Sequence, residues 1–247
     1  LSIRRQRQMC IRDRYWGWQK MSKINAVRLI NVNYNNNAYR ISDETLHFNG
    51  KSTLISLQNG GGKSVLVQML TAPFVHPKYR NTKDRLFESY FTTNKPSFIL
   101  VEWALDQGAG YVLTGLMVRK SQDMEEDRKE NLDIIGIVSE YQSPCIQDIH
   151  HLPVVEKGKK EMILKNFNSC RQLFETYKKD RDMKFFYYDL TNYAQSRQYF
   201  NKLMEYQINY KEWETIIKKI NLKESGLSDL FADCKDCLLY TSDAADE

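Results

Sequence analysis

The chain has 247 residues, a net charge of +5, 42% hydrophobic residues, 11 glycines and five prolines. This composition excludes disordered, collagen-like and low-complexity proteins, and the length suffices for a substantial buried core. The sequence has no apolar run near the roughly 20 residues of a membrane helix and no recognisable signal peptide. Its five cysteines have no regular spacing, so we expect a protein of the reducing cytoplasm.

The two ends of the chain are related through the genetic code. Back-translation of residues 237–246 gives a DNA whose complementary strand encodes residues 4–13, so ten consecutive residues agree. This DNA resembles a sequencing adapter. We therefore expect residues 1–20 and 237–247 to be translated adapter or upstream sequence, with residues 21–236 as the natural part of a longer chain. The alternative is a basic arm that binds nucleic acid, because residues 4–14 contain five arginines.

Alternation of apolar and polar residues predicts strands in the first quarter of the natural part, and asparagine and glycine mark its turns. The Asn49-Gly50 pair predicts a tight hairpin turn. The predicted elements, in chain order, are a strand over 23–32, a turn over 33–38, a strand over 39–48, a strand over 51–57, a loop over 58–62 and a helix over 63–70 ended by Pro73 and Pro77.

The later part of the chain predicts a hairpin followed by helices. Two apolar segments separated by a glycine-containing loop are typical of a β-hairpin, and the spacing of Trp213, Ile216, Ile217 and Ile220 marks one face of a helix. The predicted elements are a short helix over 85–91, strands over 97–105 and 111–118, a charged loop over 121–131, a strand over 134–141, an irregular segment over 143–160 and helices over 171–220 with a break at 187–192.

The strongest motif is a glycine-rich loop, Leu57-Gln-Asn-Gly-Gly-Gly-Lys-Ser64, between a predicted strand and a predicted helix. Such a loop turns backbone N–H groups toward a phosphate, and the helix N-terminus adds further donors. Lys63 would place its charge on the β- and γ-phosphates and act in catalysis, and Ser64 would bind Mg²⁺. The candidate ATP-binding residues are Asn59, Gly60, Gly61, Gly62, Lys63 and Ser64.

The motif departs from the full phosphate-loop pattern at one position. The pattern G-x-x-x-x-G-K-[ST] has glycine where this chain has Leu57, although the glycine-rich remainder can compensate. The alternative interpretation is a glycine-rich surface turn before an ordinary helix.

The residues around the loop resemble the N-terminal head segment of an SMC-type ATPase, and among these the MukB-like subgroup with its Wadjet-type plasmid-defence condensins. Two motifs carry this resemblance: Arg28-Leu-Ile-Asn-Val-Asn33 in the opening strand, and Asn59 to Ser64 in the loop. The resemblance covers roughly residues 21–70 and implies the N-terminal lobe of an ABC/SMC-type P-loop NTPase head. We therefore expect an α/β fold with a mixed sheet, an antiparallel hairpin and C-terminal helices around the phosphate-loop helix.

The resemblance also implies an activity and partners. In this family a coiled coil and a C-terminal half complete the head, and two heads enclose ATP and Mg²⁺. The full-length protein would hydrolyse ATP, act on DNA in chromosome organisation, repair or plasmid defence, and bind accessory subunits away from any membrane. This part of the chain alone would be inactive. Two alternatives are another ABC-type or RecF-like DNA-repair ATPase and a non-enzymatic nucleotide-binding interaction domain.

Several other residues are weaker candidates, each with a plainer interpretation. Phe98 to Glu102 imitates an acidic Mg²⁺-binding strand, but a core strand of the hairpin explains it. Gln142 and Gln147 are both candidates for the family's Mg²⁺-contacting glutamine, and the spacing does not choose between them. The remaining candidates are Tyr34 and residues 35–37 for the base or ribose, Arg80 and Arg85 for phosphate or DNA, His150 and His151 for a metal, and Cys145 and Cys170 as reactive thiols. We favour a simple turn for Tyr34 and residues 35–37 and solvated surface for the two arginines. For the histidines we favour a loop, and for the cysteines core thiols.

Overall fold

The computed structural model describes residues 22–34, 38–56, 58, 61–82, 85–121, 131–158 and 162–222. The predicted adapter segments at both ends lie outside the described residues, as do residues 35–37, Leu57, Asn59 and Gly60. The expectations placed on those positions therefore stay predictions.

The described chain forms eight strands and four α-helices. They are β1 (Lys23–Tyr34), β2 (Tyr39–His47), α1 (Lys63–Thr71), β3 (Ser97–Ala104), β4 (Tyr111–Lys120), β5 (Leu132–Tyr141), β6 (Val155–Lys157), β7 (Met162–Leu164), α2 (Phe167–Lys179), β8 (Lys184–Asp189), α3 (Tyr193–Glu205) and α4 (Tyr210–Leu222). Short 3₁₀ helices cover Ala72–Phe74, Pro77–Tyr79, Phe87–Tyr90 and Asp106–Gly108.

Six strands form one sheet in the order β2-β1-β3-β4-β5-β8, and every neighbouring pair is antiparallel. The predicted hairpin is confirmed as β3 and β4, in register from Ser97 opposite Val118 to Ala104 opposite Tyr111. The expected mixed sheet is wrong for the described strands. A parallel neighbour needs a crossover connection, whereas β3, β4 and β5 follow one another in the chain and pair in that order as antiparallel neighbours.

The sheet is buried on both faces because its strands alternate between two hydrophobic clusters. Val27 and Leu29 face the first cluster, whereas Ala26 and Ile30 face the second. Helices α1, α3 and α4 cover the first face, and α2 with the segment over residues 149–154 covers the second. The fold is thus α/β, with an antiparallel sheet between two layers of helices and loops.

The predicted strand over 51–57 is wrong for its described residues. Residues 51–56 form neither strand nor helix, and all are exposed; Leu54 is 95% exposed. The Asn49-Gly50 turn does form, with φ of 54° and 63°, but no strand of the described sheet pairs with the segment that follows. β-Propensity expresses packing on neighbouring strands, so an apolar run without such a neighbour does not become a strand.

Three expectations for the later part of the chain also need correction. The break predicted at 187–192 overlaps β8, an edge strand of the central sheet. The segment predicted to be irregular over 143–160 contains β6, which pairs with β7. The short helix predicted over 85–91 is reduced to the 3₁₀ helix Phe87–Tyr90. None of the described helices is long and apolar enough to cross a membrane.

Candidate nucleotide-binding site

The glycine-rich loop leads directly into α1, as the sequence predicts. Gly62 is the N-cap residue, with φ of 85° and ψ of 18°, a left-handed conformation that favours glycine. The Gly62 carbonyl accepts the first helical hydrogen bond, from Leu66 N at 2.8 Å, and Gly61 N donates to Gln58 O at 2.9 Å. The loop therefore closes on itself before the helix begins.

Lys63 and Ser64 occupy the first turn of α1, and both side chains are exposed. The Lys63 ammonium Nζ donates to Gln58 O at 3.2 Å, so it curls back over the loop. The structure thus brings together Gly61, Gly62, Lys63 and Ser64 at one helix N-terminus. Helix N-termini favour anions through their N–H groups and their dipole.

Helix α1 is anchored by its buried face. Val65 and Met69 lie in the first hydrophobic cluster. The buried Gln68 side chain donates from Nε2 to Arg80 O at 2.6 Å and accepts at Oε1 from the Tyr90 hydroxyl at 2.7 Å. These contacts hold α1 on the sheet while its N-terminus stays open.

The aromatic ring of Tyr34 lies beside the loop. A side-chain Cβ at Gly62 would be 3.5 Å from Tyr34 Cε2. Tyr34 also stacks on Tyr39, with 5.4 Å between ring centroids. The structure therefore brings Tyr34, the candidate for base or ribose contact, next to the described part of the loop.

The opening-strand motif has a structural role. Arg28 makes two hydrogen bonds to the Asp43 carboxylate, at 2.7 and 2.6 Å, and also donates to Ile149 O at 2.9 Å. Asn31, at a positive φ of 58°, donates to Pro96 O at 3.1 Å, and Asn33 donates to Thr92 Oγ1 at 3.0 Å. These side chains tie β1 to its neighbours and position the strand that carries Tyr34.

Glu102 lies in the middle of the sheet and is 5% exposed. It accepts hydrogen bonds from the Tyr141 hydroxyl and from Asn25 Nδ2, the latter at 2.6 Å. Burial, followed by the nearby Glu102 charge, raises the pKa of Tyr141. The plainer interpretation of Phe98 to Glu102 as a core strand agrees with this placement.

The two candidate glutamines differ in environment. Gln142 is exposed, whereas Gln147 is buried and donates to Glu140 O at 3.3 Å. Gln147 begins a segment whose residues Ile149 and Leu152 pack on the face opposite α1. Among the residues that the structure describes, neither glutamine has a contact that would make it a partner of Ser64 at a shared Mg²⁺.

The expectation of a solvated Arg80 is wrong. Arg80 is 1% exposed, donates from Nε to Ala72 O at 3.1 Å and lies over the Phe87 ring. Sequence patterns missed this burial because Arg80 follows two prolines in a segment without periodicity. Arg85 is exposed, as expected.

The histidine and cysteine candidates have ordinary structural roles. His151 Nδ1 lies 2.8 Å from Asp148 Oδ2, and the described residues contain no group of three potential metal ligands. Burial raises the pKa of the Cys170 thiol to about 12 and also raises that of Cys145, so neither is activated. His150 and His151 lie in a turn, as the loop interpretation expects, and Cys170 is a buried core thiol, whereas Cys145 is only partly buried beside the second cluster.

Comparison with protein-family models and with curated proteins finds no match to this chain. Any functional conclusion therefore rests on the residues and their geometry.

Proposed function

We propose that this chain is the ATP-binding N-terminal part of an SMC-like ATPase head that acts on DNA. The observation that carries the proposal is the left-handed Gly62 at the start of α1, with Lys63 and Ser64 exposed in the first turn. A phosphate at this helix end would meet backbone N–H groups and the Lys63 ammonium, and a bound Mg²⁺ would meet the Ser64 hydroxyl. Asn59 and Gly60 would complete the cradle.

Two further observations support the proposal. Tyr34 lies against Gly62, where its ring would flank the ribose or base of a nucleotide whose phosphates are held by the loop. The exposed segment over 51–56 carries Leu54 and Ile55, which would gain burial if another part of a complete head paired with it. That completed head would supply the acidic residues for hydrolysis. Hydrolysis would then proceed by positioning and charge stabilisation of the transferred phosphoryl group.

In this proposal the chain alone binds ATP together with Mg²⁺ but does not hydrolyse the ATP. Two complete heads, together with accessory subunits, would enclose the nucleotide and couple its turnover to DNA. The processes that this activity fits are chromosome organisation, repair and plasmid defence.

The test is the binding of a fluorescent ATP analogue with and without Mg²⁺. Lys63→Ala should weaken binding at least about tenfold, about 1.4 kcal/mol, because it removes a charge-assisted contact with phosphate. Ser64→Ala should weaken binding only when Mg²⁺ is present. The matched control is Lys51→Ala, which removes another exposed lysine and should leave binding unchanged.

One observation favours a second candidate, a non-enzymatic nucleotide-binding interaction domain. The loop has Leu57 in place of the first glycine, and the described residues before it form no strand. Nucleotide binding that is unchanged in Lys63→Ala would support this candidate and contradict a phosphate-loop site. An RecF-like DNA-repair ATPase shares the loop chemistry, and a long coiled coil downstream in the gene would distinguish the SMC-like protein from it.

A further inference from the structure

A cavity of about 700 Å³ lies alongside helix α3. Tyr193, Arg197 and Asn201, which follow one another at four-residue spacing on one face of α3, form one wall. The remaining lining comes from the segment over 76–80, the start of β5, the residues after β8 and the start of α4. A concave site of this volume, built from several elements, is typical of small-molecule binding. None of the described residues of the glycine-rich loop lines it, so it is separate from the candidate nucleotide site.

Part of the cavity lining is apolar. Leu132, Ile134 and Phe200 are each at most 5% exposed and close the cavity toward the core. Pro77 and Leu190 are only partly buried, so they offer apolar surface that a ligand can reach. An aromatic ring that enters the cavity would leave water for this surface, which is favourable.

His76 contributes an imidazole in a fixed orientation. Its ring stacks on Phe200, with 3.9 Å between centroids, and meets the Tyr210 ring edge-on at 5.1 Å. Glu214 accepts a hydrogen bond from His76 N at 2.9 Å and is also in hydrogen-bond contact with Nδ1. A carboxylate can only accept, so the proton of this contact is on Nδ1. Nε2 is then the nitrogen left for a ligand, and within the described chain it has no hydrogen-bond partner.

Arg197 supplies positive charge that a ligand can reach. Its side chain is exposed, and within the described chain it makes no ion pair or hydrogen bond. Arg80 also lines the cavity but is 1% exposed, so direct contact with a ligand falls to Arg197. The described lining residues include no aspartate or glutamate, and the nearby Glu214 is engaged by His76. This distribution of charge favours a negatively charged ligand.

We propose that this cavity binds a small organic anion that carries an aromatic ring. A carboxylate or phosphate would meet the Arg197 guanidinium and Nε2 of His76, which donates when the imidazole is protonated. The ring would lie against Pro77 and Leu190, and the Tyr193 ring, which is 83% exposed, would cover its outer side. This site goes beyond ATP binding at the glycine-rich loop and does not depend on it.

The experiment titrates naphthyl phosphate and naphthoate into the whole chain by isothermal titration calorimetry. We expect saturable binding of at least one of these anions, and their comparison shows whether the cavity prefers phosphate or carboxylate. Neutral naphthol lacks the charge and inorganic phosphate lacks the ring. Each should bind at least about tenfold more weakly than the better naphthyl anion.

Two variants place the probe in the cavity. Arg197→Glu should weaken binding at least about tenfold, because an attractive contact becomes repulsive. The matched control is Arg181→Glu, which makes the same charge change at an exposed arginine outside the cavity and should bind normally. Asn201→Trp fills the cavity from an exposed helical position without changing the charge and should abolish binding. Circular dichroism verifies that each variant is folded.

Several results would overturn the proposal. Absence of saturable binding of both naphthyl anions would exclude the site, and equally strong binding of naphthol would exclude recognition of charge. Unchanged binding in Arg197→Glu or in Asn201→Trp would place the probe outside the cavity. Loss of binding in Lys63→Ala would place it at the glycine-rich loop. Normal binding in that variant separates this site from the ATP-analogue site.

Discussion

The β3–β4 hairpin and the glycine-rich segment over residues 51–64 are opposite extremes of the same molecule. In the hairpin, Phe98, Leu100 and Met117 are completely buried between two layers. In the glycine-rich segment, Leu54 is 95% exposed, and the side chains of Lys63 and Ser64 face solvent. The hairpin holds the fold together, whereas the candidate site lies on a surface that contributes little to stability. The exposed residues of the candidate site, such as Lys63 and Ser64, can therefore be changed with little effect on folding.

The largest expected effect tests the hairpin. Phe98→Ala removes a fully buried aromatic ring from the second hydrophobic cluster. The lost burial and the cavity left behind should lower the free energy of unfolding by about 3–5 kcal/mol. Urea denaturation of the variant and the unchanged chain measures the difference. A loss below about 1 kcal/mol would mean that the hairpin is not the stable centre that its burial indicates.

A smaller effect is expected at the turn after β5. Asp148 is 3% exposed. Burial favours its neutral form, but hydrogen bonds from the His151 side chain and from the amides of His151, Cys145 and His150 outweigh this and lower its pKa below the ordinary 3.8. Asp148→Asn should cost about 1–3 kcal/mol at neutral pH, because a buried carboxylate that accepts several hydrogen bonds becomes an amide with fewer acceptor sites.

The sign of the pH dependence follows from the lowered pKa of Asp148. Its carboxylate contributes stability in full above the unfolded pKa, and this contribution is lost as the pH falls through 3.8 and then through the lower folded pKa. Thermal unfolding of the unchanged chain and of Asp148→Asn should be compared between pH 7 and pH 3. The stability difference between the two proteins should become smaller as the pH falls. A difference that grows on acidification would contradict the assignment.

A still smaller change in stability is expected at the N-cap of α1. Gly62→Ala forces a side chain into a left-handed conformation and should lower the free energy of unfolding by about 1 kcal/mol. The new methyl group would lie 3.5 Å from Tyr34, an ordinary contact, so the strain is mainly in the backbone. Circular dichroism melting measures the loss. We expect ATP-analogue binding to fall as well, and unchanged binding would argue that the loop does not cradle phosphate.

The smallest effect is expected in the exposed segment. Leu54→Ser should change the unfolding free energy by less than about 0.5 kcal/mol, because the side chain is already in water. The matched control is the buried substitution Phe98→Ala. If Leu54 belongs to a surface that a complete head covers, the same substitution in a longer chain should destabilise clearly. If Leu54→Ser leaves the unfolding free energy unchanged both in this chain and in a longer chain, the exposed segment no longer supports the proposed head.

Local sequence patterns were sufficient to predict the elements whose formation depends mainly on neighbouring residues. The alternation over β1 and the two apolar runs of β3 and β4 predict strands that the structure confirms, and the helix predicted after the glycine loop forms as α1. A turn also forms at Asn49-Gly50, but the hairpin predicted there does not, because the described residues 51–56 form no strand. Position and spacing alone bring Gly61 to Ser64 together, because adjacent residues at a helix start share one site whatever the rest of the chain does.

Long-range contacts decided what local patterns could not. Leu54 and Ile55 have the composition of a strand but no described neighbour, whereas Tyr187 and Tyr188 lie in a predicted break and become a strand because β5 offers a pairing edge. Arg80 is buried by segments distant in the sequence, and the Tyr34 ring meets Gly62 although 28 positions separate them. The sequence determined the loop, its helix and the central hairpin. Only the tertiary structure decided which strands pair and which charged side chains are buried, because both depend on non-local partners.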